Sequence, residues 1–164
     1  MSVNFSVHAN TLAIGSPGRG SDDADRPGYV RVFFLEGDKD LGTDTWNQIG
    51  QDLIREANGN EFGSSVSHSN DVKTIAVGAR HAYVIGESRE FLWFSRWGDV
   101  SVYRMADSES GWIQLGNDID GKAACDCLGW TVPMSGDGSK VAIGSPYNSD
   151  NGVDSGHVRG FVFG

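Results

Sequence analysis

The sequence repeats itself, and no other feature constrains its fold as strongly. Residues 46–80 align without a gap onto residues 112–146, and eleven of the 35 aligned pairs are identical. A further copy starts at the N-terminus, where residues 11–15 correspond to residues 74–78. A period of 63 to 66 residues indicates one structural unit that is used several times. The chain is therefore expected to contain three related units, of which the first and the last are incomplete.

Each copy is predicted to consist of short strands. No window carries an apolar stripe at helical spacing, and short apolar runs alternate with Gly, Asn, Asp and Ser. The predicted strands of the middle copy are residues 63–69, 74–78, 98–103 and 112–115. In the first copy, the first strand corresponds to the start of the chain, and the other three correspond to residues 12–15, 28–33 and 46–49. In the last copy, the first three strands correspond to residues 129–135, 141–144 and 156–161. The fold class is all-β, with about eleven strands.

Four antiparallel strands in every 63 to 66 residues predict the blades of a β-propeller, in which each small sheet buries its faces on its neighbours. The predicted blades are residues 1–53, 54–119 and 120–164 of a single repeat domain, called below the first, middle and last copy. Together they make a partial propeller of about 2.75 blades, whereas closure takes roughly four to eight. Further blades are expected from a longer parent chain or from self-assembly. A β-trefoil, which also has three four-stranded units, is the alternative.

The charge of the chain argues against two classes of partner. Its formal net charge is −9, and the sequence contains no cluster of Lys and Arg. Nucleic acid and anionic membrane surfaces both require such a cluster. No apolar segment is long enough to span a membrane, and the N-terminus lacks the features of a secretory signal.

The loops between the second and third strands carry candidate ligands for a cation. The candidates are Asp22, Asp23 and Asp25 in the first copy, and Asp150, Asn151 and Asp154 in the last. Carboxylate and amide oxygens are the ligands that Ca²⁺ prefers. The alternative is an ordinary solvated loop, in which Asp and Asn form turns.

The corresponding loop of the middle copy is longer and rich in aromatic residues. Trp93, Phe94, Arg96 and Trp97 are predicted to form a binding surface, since Trp and Arg often anchor interfaces. The alternative is that this segment extends a strand and packs locally. Trp46 and Trp112 occupy equivalent positions and are instead expected to share a packing role.

No sequence motif indicates catalysis. The four histidines occupy non-equivalent positions, without metal-ligand spacing or a neighbouring nucleophile motif. Cys125 and Cys127 are too close in sequence to indicate a disulfide framework. A non-enzymatic module that binds a protein or a glycan is therefore favoured. The alternative is a hydrolase or lyase built on a propeller, whose paired carboxylates would meet only in space.

Three short segments of the last copy carry a family resemblance. Residues 128–132, 135–138 and 141–146 read Leu-Gly-Trp-Thr-Val, Ser-Gly-Asp-Gly and Val-Ala-Ile-Gly-Ser-Pro, and they resemble the FG-GAP repeat of integrin-α-like propellers. The resemblance implies a propeller of about seven blades that serves in adhesion or protein binding outside the cell. Integrin α-chain heads bind calcium in Asp-rich hairpins between the first two strands. The matching turns here, 69–73 and 135–139, hold one carboxylate each, so that site is not carried over.

Gly78 and Gly144 end the second strand of their copies. They are predicted to be required there for space or for a positive φ. Replacement of either residue by Val is expected to destabilise its copy.

Overall fold

The computed structural model describes residues 1–6, 10–18, 28–37, 42–55, 60–81, 97–106 and 111–163. Within these residues the fold is all-β, as predicted. Twelve strands form three antiparallel sheets, without a helix and without a closed barrel.

The first sheet is a meander with one additional short strand. Its strands are β1 (Ser2–Phe5), β2 (Thr11–Ser16), β3 (Tyr29–Glu36), β4 (Thr45–Gln48) and β5 (Leu53–Ile54). The strand order is β1-β2-β3-β4, and β5 pairs with the beginning of β3.

The second and third sheets repeat this plan. The second contains β6 (Phe62–His68), β7 (Thr74–Ala79), β8 (Asp99–Met105), β9 (Trp112–Gln114) and β10 (Ile119–Asp120). Here β6, β7 and β8 are consecutive neighbours, and both β9 and β10 pair with β8. The third contains β11 (Lys140–Ser145) and β12 (His157–Val162). Its predicted first strand, 129–135, is not a regular strand of the sheet, but it lies along β11 through isolated bridges at Thr131 and Met134 and several backbone hydrogen bonds.

The pairing register confirms the internal repeat. Ser65 pairs with Gly78 in the second sheet. The corresponding pairs are Ser2 with Gly15 and Thr131 with Gly144. Residues that the sequence aligns therefore also occupy the same place in each sheet.

The predicted fourth strand, 46–49 and 112–115, is followed after a short interruption by a further short strand, β5 or β10, which the sequence prediction missed. Gly50 adopts a φ of 70°, a conformation that favours glycine. The side chain of Gln48 donates a 2.7 Å hydrogen bond to the carboxylate of Asp52 across this interruption. In the middle copy Gln114 and Asp118 make the same contact at 2.8 Å. The repeated Gln-x-Gly-x-Asp pattern is thus a bulge that separates the two strands.

Both hydrophobic cores lie between consecutive sheets. The first joins Ala13, Val30, Val32 and Leu53 to Phe62, Val66, Ile75, Val77, Ala79 and Trp112. The second joins Ala76, Val100 and Val102 to Leu128, Val132, Val141 and Ile143. Every residue of β7 is buried, because this strand is covered on both faces. In β2 and β11 burial alternates, because only one face of each is covered.

The two repeated tryptophans differ in burial. Trp112 is buried, and its indole Nε1 donates a 3.1 Å hydrogen bond to the carbonyl of Ile49 in the first copy. Trp46 is 43% exposed. The prediction of a shared packing role is therefore confirmed for Trp112 and wrong for Trp46.

Gly78 is required for space and not for a positive φ. A β-carbon at this position would collide with the carbonyl of Gly129 in the last copy, and Gly15 meets Gly63 in the same way. A β-carbon at Gly144 would lie 2.7 Å from the hydroxyl of Thr131, a side chain that can rotate. Neither Gly78 nor Gly144 has a positive φ.

Candidate functional site

One cluster of exposed aromatic and charged side chains lies at the end of the second and third sheets. Arg80 directly follows β7, and Tyr147 comes two residues after β11. Trp130 precedes Thr131, which bridges to the same end of β11 at Gly144. The regular register of the two sheets therefore brings residues from two copies together at one edge.

The guanidinium of Arg80 is held in place by a buried carboxylate. Its Nε donates a 2.7 Å hydrogen bond to Oε2 of Glu61, and Nδ1 of His81 lies 3.1 Å from the other carboxylate oxygen. The Glu61 side chain is almost fully buried. Burial opposes ionisation of Glu61, but hydrogen bonds from His81 and Arg80 outweigh it and lower the pKa of this carboxyl to about 2. Glu61 is therefore a carboxylate at neutral pH.

The backbone of Glu61 is held in a conformation that few residues adopt. Its φ is 54°, in the left-handed region, which costs a non-glycine residue of the order of 1 kcal/mol or more. The carbonyl of Glu61 accepts a 2.9 Å hydrogen bond from the amide of Ser64, and the amide of His81 donates to the carbonyl of Asn60. These bonds compensate the strain and keep the carboxylate directed at Arg80.

The guanidinium of Arg80 also stacks on a pair of aromatic rings. Its central carbon lies 4.6 Å from the centre of the Trp130 ring, within cation–π distance. The Trp130 and Tyr147 rings meet edge to face, with centroids 5.7 Å apart at 84°, which is a favoured aromatic geometry. Trp130 is nevertheless 38% exposed and Tyr147 is exposed. We call Arg80, Trp130 and Tyr147 the aromatic stack.

The aromatic stack has the composition of a binding surface. Trp, Tyr and Arg are the residue types most enriched at the energetic centres of protein interfaces. The two rings carry few rotatable bonds, and their packing against Arg80 restricts them further, so little entropy is lost on binding. The Glu61 carboxylate is paired with the guanidinium of Arg80.

A second charged cluster joins the first sheet to the second sheet. Arg55, which follows β5, places Nη1 2.5 Å from Oδ2 of Asp99 and Nη2 2.7 Å from Oδ2 of Asp118. Asp118 also accepts hydrogen bonds from Ser101 and Gln114. Burial raises the pKa of the Asp99 carboxyl to about 7, although Arg55 opposes the shift. The cluster is an ion-pair contact between neighbouring sheets.

Part of the predicted cation site can be placed. Asp150, Asn151 and Asp154 are all exposed in the loop between β11 and β12. The carboxylate of Asp150 lies 3.5 Å from Nζ of Lys122 and 3.6 Å from Nδ1 of His157. Within the described residues, no three His, Cys, Asp or Glu side chains group in a way that could hold a metal. Calcium binding stays a prediction.

The remaining predicted site residues lie mostly outside the described residues. These are Asp22, Asp23 and Asp25 of the cation prediction, and Trp93, Phe94 and Arg96 of the binding surface. Trp97 is described: it is partly buried just before β8, and its carbonyl accepts a 3.0 Å hydrogen bond from the amide of Leu128.

The sequence reasoning missed the aromatic stack, although the repeat contained a signal for it. The cluster residues fall where aligned copies differ: Arg80 aligns with Pro146, Trp130 with Ser64, and Tyr147 with His81. Positions that support the fold are the same in each copy, whereas these positions are not. A search for polar and aromatic departures from the repeat would have found them.

No protein-family model matches the chain, and no curated protein matches it significantly. The resemblance to FG-GAP repeats stays a prediction. Among the described residues, no helix is long and apolar enough to cross a membrane.

Proposed function

We propose that the chain is a non-enzymatic binding module that recognises a protein ligand through the aromatic stack. The observation that carries this proposal is the packing of Arg80 against Trp130 and of Trp130 against Tyr147, while both rings remain open to solvent. A binding surface gains affinity when its anchors are held in place before the ligand arrives. The ion pair between Arg80 and Glu61 does this for the stack.

The predicted binding surface of Trp93, Phe94 and Arg96, which lies outside the described residues, is near the stack in sequence. The aromatic-rich segment 82–96 begins in sequence directly after His81, which contacts Glu61 beneath the stack. A binding surface made of loops on a rigid β scaffold is a common arrangement in β proteins. The resemblance to FG-GAP repeats adds adhesion outside the cell as the proposed setting.

The proposed scaffold is a set of consecutive propeller blades. Three findings support it: the sheets are antiparallel meanders, the cores lie between sheets, and the register recurs from copy to copy. In a propeller each blade buries its faces on its neighbours in this way.

A selection from a random-peptide phage library tests the ligand surface. Peptides selected on the wild-type protein are measured against Trp130→Ala and Tyr147→Ala. An interface anchor contributes about 2 kcal/mol, so each variant should lower the affinity roughly 30-fold. Trp46→Ala is the matched control, because Trp46 is exposed to a similar degree but belongs to β4. The proposal fails if the selection gives no binder, or if the peptides bind all three variants like the wild type.

A further inference from the structure

The two outermost sheet faces differ from the inner ones. Val158 on β12 is 69% exposed, whereas its equivalents Val30 and Val100 are fully buried against the next copy. At the other end, Val3 on β1 is exposed, whereas its equivalent Val66 is buried against the preceding copy. Each outer face therefore exposes apolar residues. The equivalent residues of the inner faces are buried, because a neighbouring sheet packs on them in the described structure.

The two open faces are the two halves of an interface that already occurs twice in the chain. In the first core, Ala13 and Val30 of one sheet join Val66, Ile75 and Val77 of the next. The second core joins their equivalents from the middle and last copies. By the same correspondence, the open half on the last copy contains Ala142 and Val158. The open half on the first copy contains Val3, Leu12 and Ile14.

We infer that the chain associates head to tail, with the open face of the last copy seated on the open face of the first copy of a second molecule. The occupant is a second copy because its open face carries the apolar pattern found against equivalent faces inside the chain. The contact joins two different surfaces, so it is heterologous and generates rings or open arrays. The inference rests on the stacked-sheet arrangement and does not depend on the aromatic stack.

The contact between molecules is expected to resemble the contacts inside one chain. Within the chain, Ser2 and Ser65 each donate a hydrogen bond to a glycine carbonyl of the next copy, Gly63 and Gly129. Thr131 is the equivalent donor on the last copy. Because the contact joins separate molecules, the association depends on concentration.

Light scattering on a sizing column, across the micromolar range, tests the inference. The mass of the wild-type chain should rise with concentration. Val158→Glu blocks one face and Val3→Glu blocks the other, and each variant should stay monomeric. Val153→Glu is the control, because Val153 is 91% exposed in the loop after β11 and its replacement should leave association unchanged. Circular dichroism checks that all three variants keep the wild-type fold.

Mixing the two blocked variants gives the decisive result. Each retains the face that the other has lost, so an equimolar mixture should form a one-to-one dimer and nothing larger. A wild-type chain that is monomeric throughout would overturn the inference. So would a mixture that stays monomeric while the wild type associates, since the contact would then not be head to tail. Neither result bears on peptide binding by the aromatic stack.

Discussion

The hydroxyl of Ser65 donates a 2.7 Å hydrogen bond to the carbonyl of Gly129 and so ties the second sheet to the third. Ser2 makes the same bond to Gly63 at 2.9 Å, between the first and second sheets. In both cases a glycine of the adjacent strand, Gly78 or Gly15, leaves the room that the approach requires. This unit of one hydroxyl and two glycines recurs with the copies and holds the sheets face to face.

Loss of the Ser65 hydroxyl should destabilise the protein measurably. We expect Ser65→Ala to lower the free energy of unfolding by about 1 kcal/mol, because the Gly129 carbonyl loses a partner. The matched variant is Ser65→Thr, since Thr131 occupies the equivalent position in the last copy and retains the donor. Urea denaturation compares the three proteins. Equal loss in both variants would show that the hydrogen bond is not what matters at this position.

Asp99 should make the protein less stable as the pH rises. Its folded-state pKa of about 7 lies above the ordinary value, so the folded protein holds a proton that the unfolded chain releases. Stability therefore falls from about pH 4 to about pH 7 and is level above that range. We expect the free energy of unfolding to decrease by roughly 2 kcal/mol more in the wild type than in Asp99→Asn between pH 5 and pH 8. Parallel pH profiles of the two proteins would contradict this reading.

The pH dependence of stability that Glu61 contributes has the opposite sign. Its folded-state pKa of about 2 lies below the ordinary value, so its contribution is complete above about pH 4.5 and is lost as the pH falls toward 2. We expect Glu61→Gln to be less stable than the wild type at pH 7 by roughly 1–3 kcal/mol, and this difference to shrink on acidification. Denaturation at pH 7 and pH 3 measures it. A difference that is constant with pH would assign the loss to packing and not to the ion pair.

The same substitution should also affect the ligand surface. Without the carboxylate, Arg80 loses the partner that holds it against the Trp130 ring. Peptides selected on the wild type should therefore bind Glu61→Gln more weakly. The matched variant is Asp52→Asn, which removes an exposed ion pair with Arg31 in the first copy. Titration of one selected peptide into each variant provides the measurement. If Asp52→Asn weakens binding as much as Glu61→Gln, the effect is not specific to the stack.

The framework of the fold followed from the sequence because its structural residues recur. Gly50 and Asp52 are repeated as Gly116 and Asp118, and each pair forms the same bulge. The short strands β5 and β10 that follow each bulge were nevertheless not predicted. Periodicity reports which residues are apolar and not where a glycine with positive φ turns the chain.

The candidate site did not follow from the sequence, because it is made where two copies meet. Arg80 and Trp130 are 50 positions apart and belong to different sheets. Only the way the second sheet packs on the third brings the guanidinium over the ring. Similarly, the exposure of Trp46 depends on a neighbour outside its own copy, and its identity with Trp112 does not reveal this.

The central claim is that the stability of the chain resides in the contacts between consecutive sheets, and one pair of glycine variants tests it most directly. Gly78→Ala places a methyl group against the Gly129 carbonyl of the next sheet, whereas a β-carbon at Gly160 on β12 would have nothing within 4 Å. The measurement is the free energy of unfolding from urea denaturation of both variants and the wild type. We predict a loss of roughly 1–3 kcal/mol for Gly78→Ala, as for overpacked cores, and a change within about 0.5 kcal/mol for Gly160→Ala. Equal changes in the two variants would contradict the stacking of the sheets.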